Sequence, residues 1–370
     1  MNILICSEFF YPSVGGAQKV AEELANNFIK KGNSVTVATS YIKNRKYKIY
    51  KKIKIREFKI GGNSVNGIKG DIQEYKNFIL KSSFDLIIVY AAQQWTFDLI
   101  CNFIDEIKTK VLSCPCGFSA LNNPSYRKYF EKLPNKLKKF NKNIFHGKTY
   151  QDFRFAKKNK IKNLEIIYNA ASLEEFKYNS NNNFKKKYNL KGSVILNVAN
   201  YSFMKGQDLS IMVLLLLKTK NVSLVFIGNN LFLNKSIYFQ FLRGISKIIN
   251  FFSHKKKIIF LKKISRKDTV NAFFSSDAFL FTSRIECSPL VLFEASAAGL
   301  PFVSRIVGNS SEIANLTKCG YAVDSIFDIS KKLDYIFNKK KHRKKLSENG
   351  RNNFLKKYNW EKISQKYLNV

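Results

Sequence analysis

The chain has 370 residues, which is long for one domain and sufficient for two, each with its own core. Hydrophobic residues make up 45% of it, and no apolar run approaches the roughly 20 residues that a membrane-spanning helix needs. The formal net charge of +38 would attract polyanions such as nucleic acid, anionic lipid headgroups or phosphorylated metabolites, and it does not choose among them.

The N-terminus and the cysteines indicate where the protein works. The chain begins with a short apolar run and no basic leader, so we expect a first strand, not a signal peptide, and a cytoplasmic protein. The six cysteines are scattered and only three histidines could join them, which argues against a zinc site and against a disulfide framework. The one close pair, Cys114 and Cys116, is expected to be two small loop residues.

Short apolar strands alternate with amphipathic helices along the first half. The segments that predict it are, in chain order, the strand NILICS, the helix AQKVAEELANNFIKKG, and the strands SVTVATS, FDLIIVY, KVLSC, NIFHG and LEIIYN. This alternation predicts a parallel α/β sheet covered on both faces.

A second series of the same kind starts near Gly192. It comprises the strand SVILNVA, a helix from about Gln207 that includes the buried run IMVLLLL, and the strands VSLVFIG, KIIFL, AFLFT and PFVSRIV. The predicted fold class is therefore α/β, with two Rossmann-like domains facing a cleft, and ligands are expected at the carboxyl ends of the strands. The predicted bounds are 1–172 for the N-terminal domain, 173–191 for a polar linker, 192–352 for the C-terminal domain and 353–370 for a closing helix.

Glycines follow the first strand of each half at the start of a helix. Gly15 and Gly16 would let a ligand approach the backbone, and the helix N-terminus offers free N–H groups to a phosphate. Lys205 and Gly206 occupy the equivalent place in the second half, where the lysine could reach a diphosphate. A plain turn remains the alternative for the first site. Later in the chain, Ser310 or Ser311 is expected to cap a helix.

Two glutamates eight positions apart form the most informative pair in the sequence. Glu286 follows the strand AFLFT, and Glu294 lies one to two turns into a helix that begins near Pro289. Because this helix is otherwise small and apolar, Glu294 should be buried, and a buried carboxylate needs a partner. A ligand hydroxyl is one such partner; a surface Glu286 with a salt-bridged Glu294 is the alternative.

The segment Ser125–Lys142 carries aromatic and aliphatic residues at helical spacing, surrounded by lysines and arginines. We expect Pro134 to split it into two helices. Its basic amphipathic character is typical of a surface that docks on anionic lipids. A helix that faces the core and exposes its lysines is the alternative.

Taken in order, several segments resemble the family 4, group 1 glycosyltransferases, which retain anomeric configuration and have the GT-B fold. They are FYPSVGGAQKVAEELANNFIKKGNSVTVAT, IIYNAASLEEF, VANYSFMKGQDL, the Glu286 to Glu294 segment and NWEKISQKYL. The resemblance implies sugar transfer from a nucleotide diphosphate to a glycan or lipid-linked acceptor, for cell-surface polysaccharide. It also implies that the closing helix crosses back to the N-terminal domain, which would bind the acceptor.

The resemblance also implies roles for residues. Glu294 would hold the ribose, Glu286 and the backbone from Cys287 to Leu290 the sugar hydroxyls, and Lys205 the diphosphate. The candidate donor-binding residues are Asn200, Lys205, Gly206, Glu286, Cys287, Ser288, Leu290 and Glu294. The candidate acceptor-binding residues are Gly15, Gly16, Cys116 and Gly117, and the candidate catalytic residues are Glu286, Lys205 and Gly16.

Two positions depart from the family pattern. The family usually has an arginine five residues before the phosphate-binding lysine, where this chain has Asn200. It also tends to have a histidine where this chain has Cys116, and His146 either replaces that histidine or is an ordinary histidine at a strand end. No Asp-x-Asp occurs, so we expect no metal ion and no cofactor besides the nucleotide-sugar co-substrate.

The sequence thus predicts a metal-independent retaining glycosyltransferase. Its expected partners are a nucleotide sugar, a glycan or lipid-linked acceptor and an anionic membrane surface, with no nucleic acid. The alternative is a non-catalytic basic protein that binds nucleic acid or glycan on the same scaffold. No helix-turn-helix, zinc finger or RNP-type motif supports nucleic-acid binding.

Overall fold

A computed structural model of the chain describes residues 1–177, 184–229 and 237–370. The chain divides into two compact units, one of Met1–Asn169 with Trp360–Val370 and one of Ala170–Asn359. The first division lies close to the predicted boundary after residue 172. The segment that returns to the first unit begins at Trp360, later than the predicted residue 353.

The first unit is built on a mainly parallel sheet with strand order β10-β9-β8-β7-β1-β2-β4-β3. Its strands are β1 Asn2–Cys6, β2 Ser34–Ser40, β3 Ile49–Tyr50, β4 Ile53–Phe58, β5 Ile60–Asn63, β6 Gly67–Gly70, β7 Leu86–Tyr90, β8 Lys110–Cys114, β9 Lys142–Phe145 and β10 Leu164–Ile166. Its helices before the return segment are α1 Gly16–Lys30, α2 Ile72–Lys81, α3 Trp95–Phe103, α4 Arg127–Leu137 and α5 Gln151–Lys158.

Continuous apolar runs account for the central strands of this sheet. All of β7 is buried, as expected for a strand covered on both faces. Helix α1 buries Val20, Leu24 and Phe28 at a spacing of four, which is the stripe that an amphipathic helix presents to a core. Ladder pairs such as Leu4 with Ile87 fix the register, so β1 and β7 end side by side.

Some elements of this unit were not predicted. The edge strand β3 pairs with β4 in antiparallel fashion, and β5 and β6 form a separate two-stranded sheet. These strands are only two to four residues long. In that hairpin a side chain at Gly62 would lie 1.9 Å from the Gly67 carbonyl oxygen, so this position accepts only glycine.

The basic segment 125–142 does not behave as predicted. Pro134 lies inside the single helix α4 and does not split it, because the helix has only one further turn after the proline. The apolar side chains that were expected to face lipid, including Tyr129, Phe130 and Leu133, are buried in the core of the first unit. The alternative of a core-facing helix with exposed lysines is the one observed.

The second unit has a parallel sheet with strand order β13-β12-β11-β14-β15-β16. Its strands are β11 Ser193–Val198, β12 Val222–Ile227, β13 Lys256–Leu261, β14 Ala278–Phe281, β15 Phe302–Arg305 and β16 Gly320–Val323. Its helices are α6 Leu173–Phe176, α7 Phe184–Lys187, α8 Gln207–Leu216, α9 Ile237–Phe252, α10 Arg266–Ser275, α11 Leu290–Ala297, α12 Ser310–Thr317, α13 Ile326–Asn338 and α14 Lys340–Lys356.

The predicted linker is only partly irregular. Helices α6 and α7 lie within it and bury Phe176 and Phe184. The Asn-rich part, Asn179–Asn183, lies outside the described residues.

Two helices differ in detail from the predictions. Helix α8 begins at the predicted Gln207, but Met212, Leu215 and Leu216 from its apolar run are exposed. The residue that precedes α12 as its cap is Asn309, and the hydroxyl of Ser310 instead accepts a hydrogen bond from the Val307 N–H (3.0 Å).

The last helix, α15 (Trp360–Asn369), belongs to the first unit and packs on α1. It buries Trp360, Ile363 and Tyr367. Among the described residues, none of the helices combines the length and the apolar character needed to cross a membrane.

Candidate functional site

Most of the predicted donor-binding residues lie at the carboxyl edge of the second unit's sheet. Asn200, Lys205 and Gly206 follow β11, and Glu286 lies in the loop after β14, two strands that are neighbours in the sheet. Glu294 is the fifth residue of α11, the helix that follows the same loop. Parallel strands end at one edge, so residues distant in sequence become close here.

The turn before α8 positions Lys205. Phe203–Lys205 forms a single 3-10 turn, and Gly206 follows it with φ +65°. A Cβ atom at Gly206 would lie 2.1 Å from the Thr282 carbonyl oxygen, so both the backbone conformation and the close approach require glycine. The loop that follows β11, which we call the β11 loop, therefore packs closely against the end of β14.

Lys205 and Glu286 form an ion pair across these two loops. Side-chain exposures are 30% for the lysine and 17% for the glutamate, so both charges remain within reach of a ligand. A polar ligand with a phosphate and hydroxyl groups could exchange contacts with each partner without leaving either charge buried alone.

Glu294 is buried, as predicted, but it already has a protein partner. Its carboxylate pairs with Arg266 at the start of α10, and the same guanidinium also binds Glu175 of α6 (2.7 Å). Of the alternatives for this residue, a salt-bridged Glu294 is the one observed, and its contact with a ligand hydroxyl remains a prediction. Sequence reasoning missed this arginine, because residues 28 and 91 positions apart give no local signal.

Arg284 is a second residue that the sequence analysis did not identify. Its guanidinium donates to the Phe203 carbonyl oxygen (2.6 Å) and to both carboxylate oxygens of Asp208 (2.9 and 2.6 Å). It also lies 3.8 Å from the centre of the Phe203 ring. Burial works to raise the pKa of Asp208, but hydrogen bonds from Arg284 and Tyr238 outweigh it, and the net pKa is below its usual value. Arg284 thus fixes the turn that carries Lys205.

The loop after β15 holds the backbone that follows Glu286. Gly308 has φ +59°, and a Cβ there would lie 2.4 Å from the Cys287 carbonyl oxygen and 2.8 Å from that of Glu286. The Asn309 N–H donates to the Cys287 carbonyl oxygen (2.9 Å), and its side-chain amide donates to the Ser288 hydroxyl (3.2 Å). The predicted sugar-binding loop therefore has a rigid support.

This support gives a first testable expectation. We expect Gly308→Ala to destabilise the protein by about 1–3 kcal/mol and to lower any catalytic activity about tenfold or more, because the new methyl group displaces the loop that carries Glu286. Gly244→Ala is the matched control, since a Cβ there meets nothing within 4 Å in the interior of α9. That control should be neutral or stabilising. Thermal melts and transfer assays of both variants check this; equal effects would contradict the role of Gly308.

Asn200 occupies the place where the resemblance leads one to expect an arginine. Its backbone carbonyl accepts a hydrogen bond from the Gln207 side chain (2.9 Å), which ties it to the first turn of α8. Arg284 is engaged with Asp208, so Lys205 is the principal cation that the β11 loop offers to a ligand. Arg305, the last residue of β15, brings a further positive charge to the same edge.

The predicted acceptor residues lie in the first unit, also at a carboxyl edge. Gly15 caps α1 in extended conformation, and a Cβ at Gly16 would meet nothing within 4 Å. The backbone N–H groups of the first turn of α1 are therefore approachable at Gly16.

Cys116 and Gly117 follow β8 in an unusual turn. Cys116, Gly117 and Phe118 have φ of 58°, 110° and 47°, three consecutive residues in the left-handed region. The Gln151 side chain, at the start of α5, donates to the carbonyl oxygens of Gly117 (2.9 Å) and Phe118 (2.8 Å) and holds this turn. Such conformations are costly for residues other than glycine and cluster at ligand sites.

His146 is buried behind this turn. Its Nδ1 lies 2.9 Å from the Ile167 carbonyl oxygen, which can only accept, so Nδ1 carries the proton and Nε2 faces the Tyr90 hydroxyl at 3.2 Å. The Tyr90 hydroxyl also contacts Cys116 Sγ at 3.7 Å. Burial lowers the pKa of His146, so it is neutral near pH 7. Of the two alternatives for His146, the structure therefore favours an ordinary histidine at a strand end, with both ring nitrogens facing hydrogen-bond partners.

Glu8, beyond the end of β1, was not singled out from the sequence. Its backbone carbonyl accepts hydrogen bonds from Thr39 (2.9 Å) and Ser40 (3.1 Å), which fixes it at the carboxyl edge. Burial, with a contribution from the charge of Asp98, raises the pKa of Glu8 from 4.5 to about 7. A carboxyl that titrates near neutral pH, in the segment between β1 and α1 that also carries Gly15, is a further candidate for the acceptor site.

The raised pKa makes stability depend on pH. Folding favours the protonated form of Glu8. The contribution of this group to the free energy of unfolding is therefore fully present below pH 4.5 and is lost as the pH rises through 7. We therefore expect Glu8→Gln to be more stable than the wild type by about 1–2 kcal/mol at pH 8, a reduced value because solvent screens part of this carboxyl. The gain should fade as the pH falls toward 4.5. Denaturation of both proteins across this range checks it; a difference independent of pH would contradict it.

Metal ligands are not grouped in the part of the chain that the structure describes. No three His, Cys, Asp or Glu side chains come together there as a candidate metal site. All six cysteines are free thiols.

Sequence comparisons match about half of the chain. The sequence model of the family described as Glycosyl transferases group 1 matches residues 179–353. Spore coat protein SA of Bacillus subtilis (strain 168) is 23% identical over 192 residues, so the chain matches about half the length of this relative: 48% of this chain and 48% of that protein.

Solved structures resemble the chain over its whole length. Sucrose-phosphate synthase from Thermosynechococcus elongatus has a TM-score of 0.80 at 14% identity and covers 100% of this chain and 97% of its own. HepE from Anabaena, in complex with UDP and glucose, has a TM-score of 0.78 at 14% identity and covers 100% and 98%. At these identities the likeness shows the fold. The chain therefore has the GT-B fold along its whole length, and its residues 179–353 match the sequence model of the group 1 glycosyltransferases.

Proposed function

We propose that this chain is a retaining glycosyltransferase that moves a sugar from a nucleotide-diphosphate sugar to a glycan or lipid-linked acceptor in the synthesis of cell-surface polysaccharide. The observation that carries the proposal is the grouping of Lys205, Glu286 and Glu294 at one carboxyl edge of the second unit. A cation, a partly exposed carboxylate and a buried carboxylate suit the diphosphate, the sugar and the ribose of such a donor, respectively.

Lys205 would bind the diphosphate. It precedes α8, whose N-terminal N–H groups and dipole favour an anion at the same place. As the bond between sugar and phosphate breaks, negative charge grows on the leaving oxygen, and a fixed ammonium stabilises that charge more than the ground state. Arg284 acts indirectly, since it positions the Phe203–Lys205 turn.

Glu286 and the N-terminus of α11 would bind the sugar. The carboxylate of Glu286 would accept hydrogen bonds from sugar hydroxyls, and the backbone N–H groups of Cys287, Ser288 and Leu290 would donate to others. Because Gly308 and Asn309 hold this loop, the contacts are preorganised and need little rearrangement at the moment of reaction.

Glu294 would accept hydrogen bonds from the ribose hydroxyls while it stays paired with Arg266. A carboxylate has two oxygens and about four acceptor sites, so the arginine and a ribose can share it. The arginine thus holds the carboxylate in place before the nucleotide arrives, and the ligand does not have to order it.

The reaction would proceed with retention and without a bound metal ion. Lys205, the α8 N-terminus and the charge of Arg305 would stabilise the leaving diphosphate. That diphosphate would itself take the proton from the acceptor hydroxyl, so no protein base is required. The acceptor would contact Gly15, Gly16 and the Cys116–Gly117 turn in the first unit, with the molecule in the cytoplasm.

A thermal-shift screen against UDP, GDP, ADP and their sugar conjugates tests the proposal. A ligand present at 100 times its Kd stabilises the folded state by about 2.7 kcal/mol, which is readily detected as a raised Tm. We expect one nucleoside diphosphate series to raise the Tm, and the matching sugar donor to be turned over. No shift with any of these, together with salt-dependent binding of DNA of any sequence, would instead favour the non-catalytic binding protein.

A further inference from the structure

The outer face of α9 is apolar although it faces solvent. Ile237, Phe241, Ile248, Phe251 and Phe252, which we call the α9 face, follow one another at helical spacing, with Gly244 completing the stripe. Phe251 and Phe252 are 78% and 79% exposed, and Ile237 is 84% exposed. A stripe of this kind on a described helix normally marks an interaction surface.

The helix does not need this stripe for its own packing. Its opposite side provides the core contacts, with Phe239 and Leu242 buried and Ile245 and Ile249 partly buried against the sheet. The α9 face is therefore a second apolar surface, and it runs along all 16 residues of the helix. A helix of that length cannot span a bilayer, but it can lie flat in the headgroup region.

The charged residues of α9 and of the segment that follows it are all basic. Arg243 and Lys247 flank it on the helix, and Lys255 and Lys257 follow its end, all exposed. The sequence contains no Asp or Glu between Asp208 and Asp268. An apolar stripe flanked by cations is complementary to a bilayer with anionic headgroups.

The end of α8 extends this surface. The Lys256 ammonium donates to the carbonyl oxygens of Leu215 (2.8 Å) and Leu217 (2.9 Å), which ties the start of β13 to the end of α8. The exposed Leu215 and Leu216 thus lie at the edge of the sheet where β12 and β13 begin, the edge that Phe252 also approaches. The donor residues lie at the opposite edge, so docking here leaves them accessible.

From these observations we infer that the α9 face docks the second unit onto an anionic membrane surface. Two copies of the chain placed face to face would bring Arg243, Lys247 and their neighbours together without any acidic partner, which disfavours a homodimer through this surface. Aliphatic residues such as Ile237 and Ile248 bury well among acyl chains but do not stack on nucleobases, which disfavours single-stranded nucleic acid. The inference stands independently of the proposed enzymatic activity.

Flotation of the full chain with vesicles tests it. We expect the wild type to float with vesicles of phosphatidylcholine and phosphatidylglycerol at low salt, and not with phosphatidylcholine alone. Phe251→Ser with Phe252→Ser, and separately Arg243→Glu with Lys247→Glu, should lower the bound fraction about tenfold or more. Phe327→Ser on α13 removes another exposed ring, and Lys128→Glu with Lys132→Glu reverses two exposed charges on α4. Both controls should float as the wild type does.

Three results of the flotation experiment would overturn the inference. The wild type does not float with the anionic vesicles, the two α9 variants float as well as the wild type, or the α4 variant loses binding to the same extent as the α9 variants. A concentration-dependent dimer in sedimentation, dissociated by the phenylalanine substitutions, would show that a second copy covers the face. Binding of single-stranded RNA that the same substitutions abolish, without vesicle binding, would show a nucleic-acid surface.

All of the substituted residues are exposed, so the variants should fold normally. Melting temperatures equal to that of the wild type confirm this.

Discussion

Replacing Lys205 with alanine should lower kcat/KM for sugar transfer by about 10²–10³-fold. The ammonium is the principal cation that the β11 loop offers to the donor diphosphate, because Asn200 is uncharged and Arg284 is engaged with Asp208. Losing one preorganised charge contact to a leaving group typically costs this much. Steady-state transfer and the Kd of the nucleoside diphosphate, measured on the same samples, check the expectation.

Glu286→Gln is the control that separates two roles of Lys205, since these side chains pair with each other. If the lysine binds the diphosphate directly, Lys205→Ala weakens binding of the nucleoside diphosphate, whereas Glu286→Gln leaves that binding near the wild-type value and lowers transfer. If the lysine only orients Glu286, both variants bind the nucleoside diphosphate normally, and the double variant is no worse than either single variant. The second result would contradict the proposed role.

Replacing Glu294 with glutamine should weaken binding of the nucleoside diphosphate about 10- to 100-fold. Hydrogen bonds from two ribose hydroxyls to an ionised carboxylate are worth about 1.5–3 kcal/mol together, and the amide accepts them poorly. Isothermal titration with UDP, or with whichever nucleotide the thermal screen identifies, measures the change.

Glu175→Gln is the matched control for this variant. Both glutamates bind Arg266, so each substitution removes one charge from the arginine's surroundings. Only Glu294 is proposed to touch the nucleotide, so Glu175→Gln should change Kd by less than about threefold. Equal losses in the two variants would mean that Glu294 acts through the arginine and not on the ribose.

The fold could be predicted well from sequence because its signals are local. Apolar runs such as Leu86–Tyr90 and Val222–Ile227 form the strands predicted from them, and the predicted α/β class with two Rossmann-like units and the glycosyltransferase resemblance are confirmed. The short strands Ile49–Tyr50 and Gly67–Gly70 were missed, because runs of two and four residues are too short to show an alternating apolar pattern. Pro134 was overinterpreted, since tertiary burial of Leu133 and Leu137 outweighs the cost of a proline near the helix end.

The candidate site could be predicted only in part. Lys205 and Glu286 were identified because each follows a strand and precedes a helix, and Glu294 because it is a carboxylate in an otherwise apolar helix. The ligand contacts of all three remain predictions. Arg266 and Arg284 were missed because their importance comes from partners far apart in sequence, such as Glu294 and Asp208. The same limit explains why the sequence suggested membrane docking for residues 125–142, whose apolar side chains are in fact buried in the first unit. Helical spacing shows that a helix has an apolar face, but not whether that face is covered.

A crystal structure of the chain with UDP, or with the nucleotide found by thermal shift, tests the central claim most directly. The account predicts that the diphosphate lies within hydrogen-bonding distance of Lys205 Nζ and that the ribose hydroxyls donate to the Glu294 carboxylate. Nucleotide density at any place other than the carboxyl edge of β11 and β14, or a ribose that contacts Arg266 and Glu175 but not Glu294, would contradict it.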